Sequence, residues 1–179
     1  MKTTYRDEKN PKFCNGFTLG SHGEYFVDRT SKKNVQYPYG KYLGHFCIGI
    51  IYTRRQGRTN ELQSFSVAEL AKIPAVAKNF ILFAEEKWKI ASDNQGSGNT
   101  ANIGSIKFIE DILAGKGVFS QAGEEIFDDY WVNFGKLKVP DKKGGYKSLS
   151  TLEEFLKFKG LPSNLNCPKR SKKWSIADE

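Results

Sequence analysis

The chain has 179 residues, a formal net charge of +8 and 39% hydrophobic residues, enough to bury a core without disulfide or metal staples. No apolar run approaches the roughly 18 residues of a membrane-spanning helix, and three scattered cysteines with two histidines argue against a disulfide framework or a close-spaced zinc motif. The cation excess favours polyanions as partners, because lysines and arginines release counterions from phosphates.

This length predicts one domain, residues 1–179, with 1–22 as a polar N-terminal arm and 161–179 as a basic tail. The opening MKTTYRDEKNPKF has no apolar h-region, so no signal peptide and a reduced, cytoplasmic setting are expected. Residues 24–28 (EYFVD) alternate like a short strand, and Tyr37 to Gly40 (YPYG) carries a turn signal. Residues 41–55 (KYLGHFCIGIIYTRR) are β-branched and aromatic and predict a central strand. A turn at 57–60 then leads to a hairpin partner at 61–65. Ser66 and Glu69 form a capping box that starts a helix, ended or restarted by Pro74.

Residues 80–91 suit a strand or a helix, and the strand is carried forward. Residues 93–104 read as a loop. Ser105 caps a helix that stops at Gly115, 123–134 is a second amphipathic helix, and 136–147 is a basic turn. Ser150 and Glu153 cap a last helix that stops at Gly160. Strands early, one mid-chain strand, then helices give an α+β fold: a mixed sheet of about four or five strands, with helices concentrated in the C-terminal half.

On a strand, residues two apart share a face, so Glu85 and Lys87 would face one space together. The carboxylate suits Mg²⁺ through oxygen ligands. The lysine suits activation of water or neutralisation of a phosphate in flight. An upstream acid is needed to complete the metal site; Glu61 and Glu69 are the candidates, with Asp28 and Glu24 further off. On a helix the same residues are a solvated charge cluster. Glu124 and Asp128 also share a helical face, where a solvated acidic surface is the plainer reading. His45 lies in an apolar strand and reads as a core residue.

The run Gly96-Ser97-Gly98-Asn99-Thr100-Ala101-Asn102-Ile103-Gly104 lets a backbone approach a phosphate or base, with the expected helix N-terminus at Ser105 favouring anions. Asn99 and Asn102 have the amide geometry for adenine edges, and Ser97 and Thr100 can bond phosphate or base. The alternative is a plain surface loop. No Gly-Lys-Ser/Thr follows, so it is not a Walker loop. The Ser-Gly-Asn-Thr run resembles the phosphate loop of flavodoxins, which opens a reading as a flavin- or nucleotide-binding protein. Tyr37, Tyr39, Tyr42 and Tyr52, interleaved with Lys41, Arg54 and Arg55, make a plausible nucleic-acid surface.

With FAEEKWK (83–89) and QGSGNTANIGS (95–105), the chain resembles the small bacterial type II restriction endonucleases of the PD-(D/E)xK group. The resemblance implies Mg²⁺-dependent, sequence-specific cleavage of double-stranded DNA by a homodimer on a palindrome, leaving 5′-phosphates. It makes Glu85 the second metal-binding acid and Lys87 the catalytic lysine. It leaves the first acid unmatched, to be sought at Glu69 or Glu61. It places base contacts at Asn99 and Asn102, with Ser97 and Thr100 beside them, and phosphate contacts at Arg54, Arg55, Arg58 and Lys89. The rival reading is a non-catalytic DNA- or RNA-binding protein that keeps the basic clusters and the loop but does not need Glu85.

Overall fold

The computed structural model describes residues 1–22, 36–57, 60, 62–96, 102–141 and 144–162. The expectations for residues 24–28, Arg58, Glu61, Ser97, Asn99, Thr100 and the tail from 163 lie outside them. The fold is α+β. Its first sheet is mixed and three-stranded: β1 (Lys2–Asp7), β3 (Phe46–Arg54) and β4 (Ala77–Glu86), in the order β1-β3-β4. β3 is central, as its β-branched and aromatic run predicts, and it pairs parallel with β1 and antiparallel with β4.

A second sheet, in the order β2-β6-β5, joins β2 (Thr18–Ser21), β6 (Asn102–Ser105) and β5 (Ala91–Gln95). A hairpin of β7 (Lys138–Pro140) and β8 (Tyr146–Ser148) occupies the expected basic turn. The longer helices lie in the C-terminal half: α2 (Ile109–Leu113), α3 (Glu124–Asn133) and α4 (Leu152–Phe158). No described helix is long and apolar enough to cross a membrane.

Several elements differ from their expectation, each for a local reason. Residues 1–22 hold β1 and β2 rather than an irregular arm, and Cys14, Phe17 and Leu19 are buried. The hairpin partner of β3 is β4, not residues 61–65, because the apolar alternation resumes only after Pro74. The Ser66 box is present, with Glu69 Oε2 accepting from the Ser66 amide at 3.2 Å and hydroxyl at 2.9 Å. It opens only a 3₁₀ stretch, Val67–Lys72, since Pro74 holds Ile73 extended. Ser105 caps no helix. Its hydroxyl accepts from the Phe17 amide at 2.8 Å and donates to the Ile106 carbonyl at 2.7 Å, which locks β6 into the core. The last helix is capped one residue later than expected, by Thr151, whose side chain accepts from the Glu154 amide.

The core gathers on one face of the β1-β3-β4 sheet. Cys47, Ile51 and Thr53 of β3 point into it, with Ile81 and Phe83 of β4 packed against it. α3 supplies Phe127, Tyr130 and Trp131, and α4 supplies Leu152, Phe155 and Leu156. Tyr130 meets Phe119, Trp131 and Phe155 at ring separations of 5.4, 5.2 and 5.7 Å, within the favourable range for aromatic pairs. A short helix α1 (Lys87–Ile90) links β4 to β5 and passes close under Gly117. A Cβ on Gly117 would sit 2.4 Å from the Lys89 carbonyl oxygen and 2.8 Å from that of Ala91. Gly117→Ala is therefore expected to destabilise the fold by about 1–3 kcal/mol, the usual cost of overpacking against backbone; urea unfolding checks it.

Candidate nucleic-acid interface

β4 ends at Glu86, and the chain turns into α1 at Lys87. The turn is fixed by backbone: the Lys87 amide donates to the His45 carbonyl at 2.8 Å. Glu85 and Lys87 therefore do not share a strand face in the way a continuous strand would place them. Glu85 is half-buried. Its Oε1 accepts from the Glu86 amide at 2.9 Å and lies 4.0 Å from the Lys89 ammonium. Lys89 also forms an ion pair with Glu86. That hydrogen bond, first among its causes, raises the pKa of Lys89, so its charge is already engaged.

Lys87 is buried at 7% exposure. Burial pushes its pKa down from 10.5 to about 7; the nearby charge of Asp128 opposes the shift and that of Lys2 adds to it. Lys2 belongs to this neighbourhood through register. It pairs with Gly49 in β1–β3, and so shares the inner face with Cys47. Its place was hidden by reading residues 1–22 as an arm; the alternation of Lys2, Thr4 and Arg6 was the available signal. Burial also raises the pKa of the Cys47 thiol.

Glu69 lies on the 55–76 connection, half-buried and paired with Lys72 at 3.0 Å. That connection joins β3 and β4 where Arg54 faces Ala77, whereas Glu85 faces Cys47. Ala77 and Glu85, toward the two ends of β4, are eight steps apart, roughly 26 Å at strand rise. Among the described residues no three His, Cys, Asp or Glu side chains gather as a metal site, so these residues do not form a complete Mg²⁺ cage.

Arg54 lies at the same far end. It is 3.8 Å from Asp7 and sits over the Tyr5 ring at 3.9 Å. Arg55 is exposed beside it.

The built feature of the site is the β5–β6 hairpin, which carries the loop 96–102 and replaces the expected continuous loop 93–104. Ser105 faces Ala91, and Ile103 faces Gln95. The Gly96 amide donates to the Asn102 carbonyl at 2.9 Å, closing the loop at its base. Asn102 is half-buried at this closure, the one predicted base-contacting residue that is described. A Cβ on Gly104 would meet the Asn94 carbonyl oxygen at 2.8 Å and the Gly96 nitrogen at 3.0 Å. Gly96 and Gly104 thus serve close backbone approach.

Beneath them Asp93 is buried. Its carbonyl accepts from the Tyr130 hydroxyl at 2.7 Å, and its Oδ2 accepts from the Leu152 amide at 3.2 Å. Asp93 and Tyr130 tie β5 to α3 and were missed in the sequence, where Asp93 reads as an ordinary turn residue. A flavodoxin-type phosphate loop feeds a helix N-terminus; this loop joins two antiparallel strands, which removes the flavin reading.

The family model described as "Restriction endonuclease EcoRV" matches residues 1–160. The chain belongs to that family. It is also 42% identical over 135 residues to the type II restriction enzyme EcoRV of Escherichia coli, a match covering 75% of this chain and 53% of the relative. The chain thus spans about half the length of that relative.

Two outcomes follow. Lys87→Met should stabilise the protein most below pH 7, where the buried ammonium is charged in the fold. Between pH 7 and 10.5 the unfolded chain holds a proton that the folded chain has lost, so wild-type stability rises with pH and the advantage of the variant should shrink. Urea midpoints across that window test the sign. Gly104→Ala should distort the loop base and lower sequence-specific DNA binding by tenfold or more at unchanged non-specific binding, read by competition titration.

Proposed function

We propose that the chain acts in a sequence-specific type II endodeoxyribonuclease that hydrolyses phosphodiester bonds of double-stranded DNA. It works as a homodimer, in the cytoplasm, with Mg²⁺ as the divalent ion. The observation that carries this reading is the family match over residues 1–160, supported by the identity to the E. coli enzyme. The net charge of +8 suits a phosphate backbone, which supplies most of the affinity and none of the sequence reading.

In this proposal the loop 96–102 enters a groove, with Asn99 and Asn102 on base edges and Ser97 and Thr100 beside them. Bidentate amides at such positions discriminate bases by about 1–3 kcal/mol each. Arg54, Arg55 and Arg58 take phosphates at the other end of β3.

Mg²⁺ supplies a Lewis acid and a lowered water pKa when bound. The described residues do not assemble its full ligand set, so no step is routed through the ion. Glu85 is kept as the catalytic acid. Lys87 remains the proposed catalytic lysine, buried and with its pKa lowered to about 7 by that burial.

The absence of a gathered acid group among the described residues favours a second reading, a DNA-binding protein that does not cut. Incubation with plasmid and phage DNA, with Mg²⁺ or with EDTA, separates the two. Discrete Mg²⁺-dependent fragments are expected, and a mobility shift without cutting supports the second reading. Glu85→Gln should abolish cleavage and spare binding; cutting at the normal rate would remove Glu85 from the site.

A further inference from the structure

The β5–β6 ladder is irregular between Ala91 and Gln95. Ala91 faces Ser105 and Gln95 faces Ile103, so β5 takes four steps where β6 takes two. Ser92, Asp93 and Asn94 form the resulting bulge. Bulges re-aim side chains and fix register beside functional sites. A regular ladder would displace Gln95 by two places along β6, and with it the base of the loop 96–102. This bulge turns Asp93 inward and leaves Ser92 half-buried.

Two sets of hydrogen bonds meet in it. On the inner side, the Asp93 carbonyl accepts from the Tyr130 hydroxyl of α3, and Oδ2 accepts from the Leu152 amide, an N-terminal donor that α4 leaves unpaired within its own helix. On the β6 side, the Ser92 hydroxyl stands in for ladder bonds. It accepts from the Asn94 amide at 3.2 Å and lies within donating distance of the Asn94 and Gly104 carbonyls, at 3.0 and 3.2 Å. Little slack remains beyond it. A Cβ on Gly96 would meet the Thr18 methyl at 3.1 Å, Gly104 Cα at 3.2 Å and the Ile103 carbonyl oxygen at 3.3 Å. The Asn94 carbonyl presses on Gly104 in the same way. A shift of Asp93 therefore moves Asn94, and Asn94 moves Gly96 and Gly104.

We propose that Ser92, Asp93 and Tyr130 are positioning residues for base recognition: the bulge transmits the placement of α3 and α4 to Gly96, Asn102 and Gly104, so that buried groups which touch no DNA set how well one sequence is told from another. The proposal rests on the reading of the loop 96–102 as the base-reading segment. Base contacts must be held to within about 0.5 Å by the groups behind them. Contacts to phosphates carry no sequence information, so loosening the bulge costs discrimination and spares non-specific affinity.

The test compares Tyr130→Phe, which keeps the packed ring and removes the hydroxyl that reaches Asp93, with Ser92→Ala, which loosens the bulge from the β6 side. Ser92→Thr keeps a hydroxyl and serves as the rescue. The first readout contains no DNA. The Gly96 amide, held by the Asn102 carbonyl, should exchange its hydrogen at least tenfold faster in Tyr130→Phe and Ser92→Ala, with the amide of Ile51 in the central strand unchanged. The second readout is the ratio of affinities for a duplex that the wild type selects from a random-sequence pool and for the unselected pool, with Ca²⁺ in place of Mg²⁺. That ratio should fall at least fivefold in both variants and be kept in Ser92→Thr, while affinity for the unselected pool stays the same. If Tyr130→Phe does not fold, Ser92→Ala decides alone. Unchanged exchange at Gly96 overturns the coupling whatever the DNA result. Faster exchange with an unchanged ratio overturns the recognition role. A wild type that selects no sequence overturns the base-reading assignment itself, and the exchange readout separates that failure from a failure of the coupling.

Discussion

Asp93 is the constraint on which the site depends. One buried residue joins three elements: its carbonyl takes the Tyr130 hydroxyl of α3, its Oδ2 takes the Leu152 amide at the start of α4, and its own backbone belongs to β5. Oδ1 takes the side-chain amide of Asn94 at 3.2 Å. A carboxylate removed from water is costly unless its oxygens are bonded, and here both accept. The polar satisfaction of one acid and the position of β5 are therefore a single fact. α3 and α4, remote in sequence, act as the foundation of β5.

The second organising feature is the break between Glu86 and Lys87. A strand that continued would have sent Lys87 toward solvent or into register with Glu85. The one-turn helix α1 instead drops Lys87 into the interior, near Asp128 and Lys2, and delivers Ile90 and Ala91 to the core at zero exposure. Burial of the lysine is a cost of redirecting the chain from the first sheet to the second.

Much of this was legible in the residues. The length and β-branched character of residues 46–54 fixed a central strand. The amphipathic spacing of 124–133 gave α3, and Gly115 and Gly160 marked helix ends, at φ of 61° and 69°. The loop at 96–102 was picked out by its glycines and amides. The catalytic arrangement was not legible, because Glu-x-Lys has a meaning only on a known face, and periodicity over 80–91 fits strand and helix alike. Asp93 was invisible for a related reason: its partners lie 37 and 59 residues away, and no local pattern reports a contact at that distance.

The parallel pairing of β1 and β3 has a consequence for how the chain reaches this fold. Lys2 lies against Gly49, forty-seven positions on, whereas β3 and β4 are joined by the short path 55–76. Closing the longer loop costs more chain entropy, and distant pairings form late. The β3–β4 ribbon assembles first and offers an edge. β1 docks onto it afterwards, so the cationic inner face completed by Lys2 is among the last parts of the protein to exist.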